Sequence, residues 1–225
     1  MMLIAYILYV LLYIAFIGAI LFVSAGRTDL PFFWAYLVLN AIPTLIATIV
    51  VYRHNPDELR EQTKRNASNN TQDKLTIPLF LVAFLSHWII AGLDVGRFHW
   101  SDTVPAILQI IGLIGFSIGF SLVAWSTIVN QFYSPSVRVQ EERGQQVITA
   151  GPYGIVRHPG YIGWLLFFAF SGMALGSWLA VLPPLLPALA VIRRTMIEDK
   201  MLQESLNGYT DYAQKVRYRL IPGIW

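Results

Sequence analysis

The chain alternates between long uninterrupted apolar runs and short polar connections, with runs at Met1 to Ala25, Pro31 to Tyr52, Leu75 to Leu93, Val104 to Val129 and Ile162 to Ile192. Each reaches or approaches the ~20 residues that a membrane-spanning helix needs. The first run has no lysine or arginine ahead of it and exceeds the core of a signal peptide, so it reads as a retained helix. In the fourth, Gly112, Gly115 and Gly119 recur at helical spacing, and the small-x-x-x-small pair of Gly115 and Gly119 predicts a close helix approach. The last run would be roughly 46 Å long as one helix at ~1.5 Å per residue, too long for one span. It is interrupted by Gly172, Gly176, Pro183, Pro184 and Pro187, and proline removes a helix hydrogen bond and bends or breaks the chain. The predicted fold is therefore all-α: a polytopic membrane helical bundle of four spans, a C-terminal helical hairpin and a cytosolic C-terminal helix.

Composition agrees with a lipid solvent, since 56% of residues are hydrophobic and 13% charged, against ~25% charged in a soluble domain. With 225 residues the chain makes one bundle and leaves no room for a sizeable soluble core. We divide it into a transmembrane region, 1–129, and a candidate site-bearing region, 130–225, that includes the last hairpin. There is no cysteine, which excludes disulfides, thiolate catalysis and cysteine metal sites. The formal charge is only +3 and the basic residues sit at segment ends, a pattern of membrane orientation and not of nucleic-acid binding. Arg53, Arg60, Lys64, Arg65 and Lys74 crowd the second connection, whereas the first holds only Arg27 and the third only Arg97. By the positive-inside rule the second connection is cytosolic. So then are the N-terminus, the segment from Asn130 to Tyr161, and the tail with Arg193, Arg194, Lys200, Lys215, Arg217 and Arg219. The sequons at Asn66 and Asn69 fall in that second connection, out of reach of glycosylation.

The chemistry concentrates in two segments. Gly151-Pro152-Tyr153-Gly154-Ile155-Val156-Arg157-His158-Pro159-Gly160-Tyr161-Ile162-Gly163 is turn-rich, basic and aromatic, between apolar runs. Irregular backbone at a bilayer survives only where it is packed in protein or lines a wet cavity, so this segment reads as the wall of a site. The tail opens with Arg193-Arg194-Thr195-Met196-Ile197-Glu198-Asp199, a helix leaving the bilayer in which Arg194 and Glu198 share a face. As a mere surface ion pair they would contribute ~0.5 kcal/mol at most. Asn207-Gly208 marks a helix stop, and Val216 to Trp225 has the aromatics and arginines of an interfacial anchor. Together these segments offer a carboxylate for a cationic amine, tyrosine faces for a cationic or aromatic ligand, and an arginine fork for a carboxylate or phosphate. They describe a membrane enzyme or binder with a charged small ligand. The four histidines, His54, His87, His99 and His158, show no i, i+4 zinc pairing. His87 reads as a satisfied helix histidine and Asp94 as a span-end residue near Arg97, and no metal is assigned.

The Gly151-Pro152-Tyr153 and Arg157-His158-Pro159-Gly160-Tyr161-Ile162-Gly163 motifs, followed by Arg194 and the acidic pair Glu198-Asp199, resemble the isoprenylcysteine carboxyl methyltransferase family of integral membrane enzymes. The likeness extends from Asn130 to the end of the chain, including Val139 to Ala150 and Tyr209 to Arg219. The first half resembles the family mainly in helix count. The resemblance implies S-adenosylmethionine as methyl donor, bound on the cytosolic side by Gln140, Gln145, Gln146, Val147, Ile148, Tyr153, His158, Pro159, Gly160, Tyr161 and Glu198. It puts Arg194 where the family has a substrate-binding arginine, and Arg194 and Arg157 are the candidate catalytic residues. Two departures are a glutamine, Gln145, where eukaryotic members have histidine, and Glu198-Asp199 in place of the more usual Glu-Glu. The implied acceptor is lipophilic: the carboxylate of an isoprenylcysteine or a similar molecule, with a phospholipid amine or small thiol as alternatives. Membrane sterol reductases with a nicotinamide cofactor also look similar in this region, but an acidic residue tends to follow the glycine that is Gly163 here, where this chain has Trp164.

Overall fold

The computed structural model describes residues 2–54, 71–101, 104–134 and 137–225. The helices are α1 (Met2–Ala25), α2 (Pro31–His54), α3 (Thr71–Leu93), α4 (Ala106–Val129), α5 (Pro159–Ala174), α6 (Leu185–Ser205) and α7 (Tyr209–Lys215). Among the described residues, five segments are long and apolar enough to cross a membrane: Met2–Ala25, Pro31–His54, Pro78–Phe98, Ala106–Val129 and Leu179–Ser205. The protein is a multi-pass, all-helical membrane protein, with no strand among the described residues. Most of the basic second connection, and both sequon asparagines, lie outside the described residues.

The middle of α4 sorts its residues with aliphatic side chains outward and small or aromatic ones inward. On α4, Ile107, Ile111, Ile114 and Ile118 follow helical spacing and are exposed, while Gly112, Phe116 and Gly119 are buried. The glycines let α4 lie directly on α5, the most extensive helix pairing in the molecule. A Cβ on Gly119 would fall 2.7 Å from the Gly163 carbonyl oxygen, and one on Gly163 would fall 2.6 Å from that of Gly119. Both distances are well inside van der Waals contact, so the two backbones touch because neither position has a side chain. Phe116 and Phe167, 5.2 Å apart between ring centroids, fill the space beside them, and Phe84 of α3 closes on Phe167 at 5.5 Å.

The expected hairpin is present, and the residues between its arms explain how it turns. The α5 arm ends at Ala174, Gly176 takes the left-handed conformation (φ 81°), and the second arm becomes the α6 helix at Leu185. The non-helical backbone of this bend is satisfied within the protein: Ser177 N–H donates to Gly172 O (3.0 Å), Trp178 N–H to Ser101 Oγ (3.1 Å) and Ala180 N–H to Ser177 Oγ (3.0 Å). A lipid-exposed bend would have left those groups without partners.

Two polar residues of α3 and its end are tied into this bend. His87 is fully buried, with Nδ1 2.7 Å from Ala180 O and Nε2 2.7 Å from Ser171 Oγ. Trp88 Nε1 donates to Tyr36 Oη, whose hydroxyl meets Ser171 Oγ at 2.9 Å. The result is a continuous buried chain through α2, α3, α5 and the bend, as the satisfied-histidine expectation required. Asp94 corrects the sequence reading. It is buried and accepts bonds from Ser101 N–H (2.7 Å) and Ser177 Oγ–H, while Arg97 instead caps the end of α1 through Ser24 O (2.6 Å) and Val23 O (3.0 Å). The last carbonyls of a helix have no intrahelical donor, and those at the end of α1 take the Arg97 guanidinium in place of the acid beside it in sequence.

Candidate active site

The Gly151 to Gly163 segment folds as a short turn, Gly151–Gly154, followed by an extended piece that feeds Pro159 into the first position of α5. Proline there costs nothing, because the first helical N–H groups have no intrahelical acceptor. Gly151 (φ 57°) lies against Trp125 and Val129 at the end of α4, so the turn rests on the end of that span. The irregular backbone after it is satisfied by the C-terminal tail: Arg157 N–H donates to Tyr218 O and His158 N–H to Arg219 O, both at 3.0 Å. A further tie comes from Tyr212 Oη–H to Tyr153 O, 2.7 Å.

Beneath the turn sits one fully buried carboxylate, Asp199 of α6. Oδ1 accepts from Arg157 Nε (2.7 Å) and Tyr209 Oη (3.1 Å), with His158 Nε2 at 3.2 Å; Oδ2 accepts from Arg157 Nη2 (3.1 Å), Gln203 Nε2 (2.8 Å) and Arg219 Nε (2.8 Å). Arg157 Nη1 also donates to Val216 O (2.8 Å) and Arg217 O (2.7 Å). A buried charge is tolerated when it is paired and its lone pairs are filled, and this cluster meets both conditions. Burial, reinforced by Asp199, holds the Tyr209 phenol well above its usual range, so it stays a donor to that carboxylate. Burial does the same to Tyr153, although a hydrogen bond from Asn130 Nδ2 (3.1 Å) pulls the other way.

Above this cluster opens a cavity of about 500 Å³. One face of α6 supplies Val191, Arg194, Glu198, Met201 and Leu202, spaced at three, four, three and one residues as a helix face requires. The stretch covers about 16 Å of helix. The apolar helices contribute Phe80, Trp164 and Val191; the segments outside them contribute Gln145, Gln146, Val147, Ile148, Tyr153, Tyr209 and Tyr212. In its wall three side chains form a relay: Arg194 Nε donates to Tyr161 Oη (2.8 Å), Tyr161 donates to Glu198 Oε2, and Arg194 and Glu198 approach at 3.8 Å. The His158 ring stacks on Tyr161, with centroids 5.6 Å apart and planes inclined by 14°.

Most of the residues singled out in the sequence converge here. Gln145, Gln146, Val147, Ile148, Tyr153, Arg157, His158, Gly160, Tyr161, Arg194 and Glu198 all line the cavity. Gln140 and Pro159 do not line it. Gln140 is buried behind the wall, where Nε2 donates to Phe132 O (2.7 Å), Oε1 accepts from Arg143 (2.6 Å) and its own N–H meets Gln145 Oε1 (2.7 Å), so it shapes the loop that carries Gln145. Pro159 is spent on starting α5. Arg157 reaches the lining, but its guanidinium is directed at Asp199 and the tail carbonyls. The tail, expected only as an anchor, also carries the turn's backbone bonds, with Leu220 buried while Ile221 and Ile224 stay exposed. Sequence reading missed Asn130, Phe132, Tyr133, Trp164, Tyr209 and Tyr212 as lining residues. Only Tyr209 and Tyr212 had a usable signal, as paired aromatics just past the Gly208 stop.

Comparison with known proteins bears on the family and the fold. The model of the phospholipid methyltransferase family matches residues 107–207, from α4 through the end of α6. A cobalt-zinc-cadmium resistance protein, CzcN, of Cupriavidus metallidurans is 27% identical over 131 residues, 57% of this chain and 56% of that protein. The mouse Δ14-sterol reductase TM7SF2 is 32% identical over 90 residues, 36% of this chain and 20% of the reductase. The matches thus span about half or less of these relatives' lengths. The solved structure of the eukaryotic intramembrane Ras methyltransferase, isoprenylcysteine carboxyl methyltransferase, superposes with a TM-score of 0.64 at 22% identity, over 93% of this chain and 75% of that one. Residues 107–207 therefore carry the phospholipid methyltransferase family pattern, on a chain that has the membrane methyltransferase fold of isoprenylcysteine carboxyl methyltransferase.

Proposed function

We propose that the protein transfers a methyl group from S-adenosylmethionine to a lipophilic acceptor at the cytosolic face of the membrane, the acceptor being the carboxylate of an isoprenylcysteine or a similar molecule. The observation that carries this reading is the order of groups along α6: apolar Val191, then Arg194, then Glu198, then Met201 and Leu202 in one cavity wall. An anionic lipophile fits the Val191–Arg194 end, and a polar cation fits the Glu198 end.

The residues present suit the methyl donor. A cavity of about 500 Å³ falls within the ~300 to 1,000 Å³ typical of small-molecule sites. Glu198 would hold the donor's ammonium, and Gln145 to Ile148, Tyr153, His158, Gly160 and Tyr161 would enclose the rest. S-adenosylmethionine supplies, when bound, an electrophilic methyl on a positively charged sulfur. Arg194, oriented by Tyr161 and Glu198, would hold the acceptor carboxylate through its planar fork. With an unperturbed pKa near ~4 that carboxylate is already ionised at neutral pH and needs no general base. The protein's work is then alignment, which supplies ~7 to 11 kcal/mol in well-oriented systems, and exclusion of water by Phe80, Trp164 and Val191. Arg157 serves as a positioning residue.

An amine acceptor, as the phospholipid methyltransferase description of residues 107–207 would favour, arrives protonated and requires a base. Among the obvious bases, His158 faces Asp199 with Nε2 and Glu198 already accepts from Tyr161, so the carboxylate acceptor fits the geometry better. The discriminating experiment is labelled-methyl transfer by purified protein across prenylcysteine analogues, aminophospholipids and small thiols. The proposal expects a base-labile methyl ester on the prenylcysteine, and Arg194→Ala abolishing its formation. Label only in an amine or thiol would reassign the acceptor, and reduction of a sterol by a nicotinamide cofactor without methyl transfer would overturn the reaction class.

A further inference from the structure

We propose that Asp199 is a positioning residue that latches the C-terminal strap, residues 216–225, onto the turn forming the cavity wall. Neighbouring Glu198 faces the cavity, whereas Asp199, one residue on and about 100° around the helix, is fully buried and faces away from it. Its partners come from four separate parts of the chain: Arg157 and His158 from the turn, Gln203 from α6, Tyr209 from α7 and Arg219 from the strap. The strap in turn accepts Arg157 N–H and His158 N–H through the carbonyls of Tyr218 and Arg219, and Arg157 Nη1 through those of Val216 and Arg217.

The consequence for the site runs through His158. Its backbone is held by the strap, its Nε2 by Asp199, and its ring lies flat on Tyr161, which joins Arg194 to Glu198. Releasing the strap therefore loosens the base of Tyr161 at the Glu198 end of the cavity, while Arg194 and Val191, about one and two turns along α6 from Glu198, keep their helix. No residue of the strap itself lines the cavity. Its effect is to pin the groups that do.

The test uses the full chain in detergent with Asp199→Asn, Asp199→Glu, Arg219→Gln and Tyr209→Phe variants. Amide hydrogen exchange is read at Arg157, His158 and the strap. Exchange there should speed at least tenfold in Asp199→Asn, the loss expected when charge-assisted bonds are removed, and by less in Arg219→Gln and Tyr209→Phe. Asp199→Glu, which keeps the charge, should recover part of the protection. Should Asp199→Asn fail to fold, the two single-arm variants decide. The exchange experiment is independent of the proposed reaction. The link to ligand rests on that reading: S-adenosylmethionine affinity should fall about tenfold in Arg219→Gln, while the KM for the acceptor, whose Arg194 touches Tyr161 but keeps its helix, rises by clearly less. Unaltered exchange at Arg157 and His158 in every foldable variant overturns the latch. Parallel losses of donor and acceptor binding would also overturn it, as a general loss of structure.

Discussion

Replacing Gly163 with alanine tests whether backbone contact between α4 and α5 sets the position of the site. The added methyl would lie 2.6 Å from Gly119 O, 2.7 Å from Val123 Cγ2 and 2.9 Å from Val123 N. Two of those neighbours are backbone atoms and cannot rotate away, so the helices must part by roughly 0.7 Å to restore an ordinary carbon–oxygen contact of about 3.3 Å. A gap of that size forfeits about a quarter to a half of each dispersion contact across the seam, and overpacking of this kind costs ~1 to 3 kcal/mol. For a chain of this length that is a Tm lower by roughly 2 to 12 °C. Thermal unfolding in detergent should show the loss in Gly163→Ala. It should be nearly absent in Ile114→Ala, whose side chain is 55% exposed on the lipid side of α4. Because Gly160, Tyr161 and Trp164 leave the same helix for the cavity, ligand affinity should fall with the Tm. A Gly163→Ala protein with unchanged Tm, or an Ile114→Ala protein equally damaged, would refute the argument.

Ser171→Ala should destabilise the bundle by about 1 to 3 kcal/mol, because it leaves His87 Nε2 and the Tyr36 hydroxyl buried with a partner missing; denaturant unfolding measures it. Stability should also fall on going alkaline. The Tyr153 and Tyr209 phenols are held above their usual value of 10.0 by burial, so above that pH the unfolded chain gives up protons that the folded chain keeps. The loss is about 1.4 kcal/mol per pH unit for each group and is absent below pH ~10, and Tyr153→Phe should shallow the slope of unfolding midpoint against pH. Orientation has a clean assay because the chain has no cysteine. A single Lys215→Cys should react with an impermeant maleimide only from the cytosolic side, and labelling from the opposite side would reverse the proposed topology.

The spans were legible because hydrocarbon length and apolar run length are the same quantity seen twice. The hairpin was legible because Gly176, Pro183 and Pro184 interrupt a run already too long. Arg194 and Glu198 were legible as a pair because helical periodicity alone puts them on one face. What could not be read were partnerships across distance. Asp199 looked like the second half of an acidic doublet, yet its ligands lie 42 residues before it and 20 after it in Arg157 and Arg219. Asp94 sits three residues from a cation, yet the carbonyls at the end of α1 claim Arg97 instead. Gln140 fell within a matching motif but faces the loop interior, since a buried amide in an irregular segment satisfies backbone groups first. Local spacing reports which residues share a helix face, and it is silent on which buried charge will recruit them.

The most direct measurement is calorimetric binding of S-adenosylmethionine to the purified 225-residue chain, beside Glu198→Gln. The account predicts saturable binding at one site, weakened by about tenfold or more when the Glu198 charge is removed. Absence of binding by the intact, folded protein would contradict it, as would binding that Glu198→Gln leaves untouched.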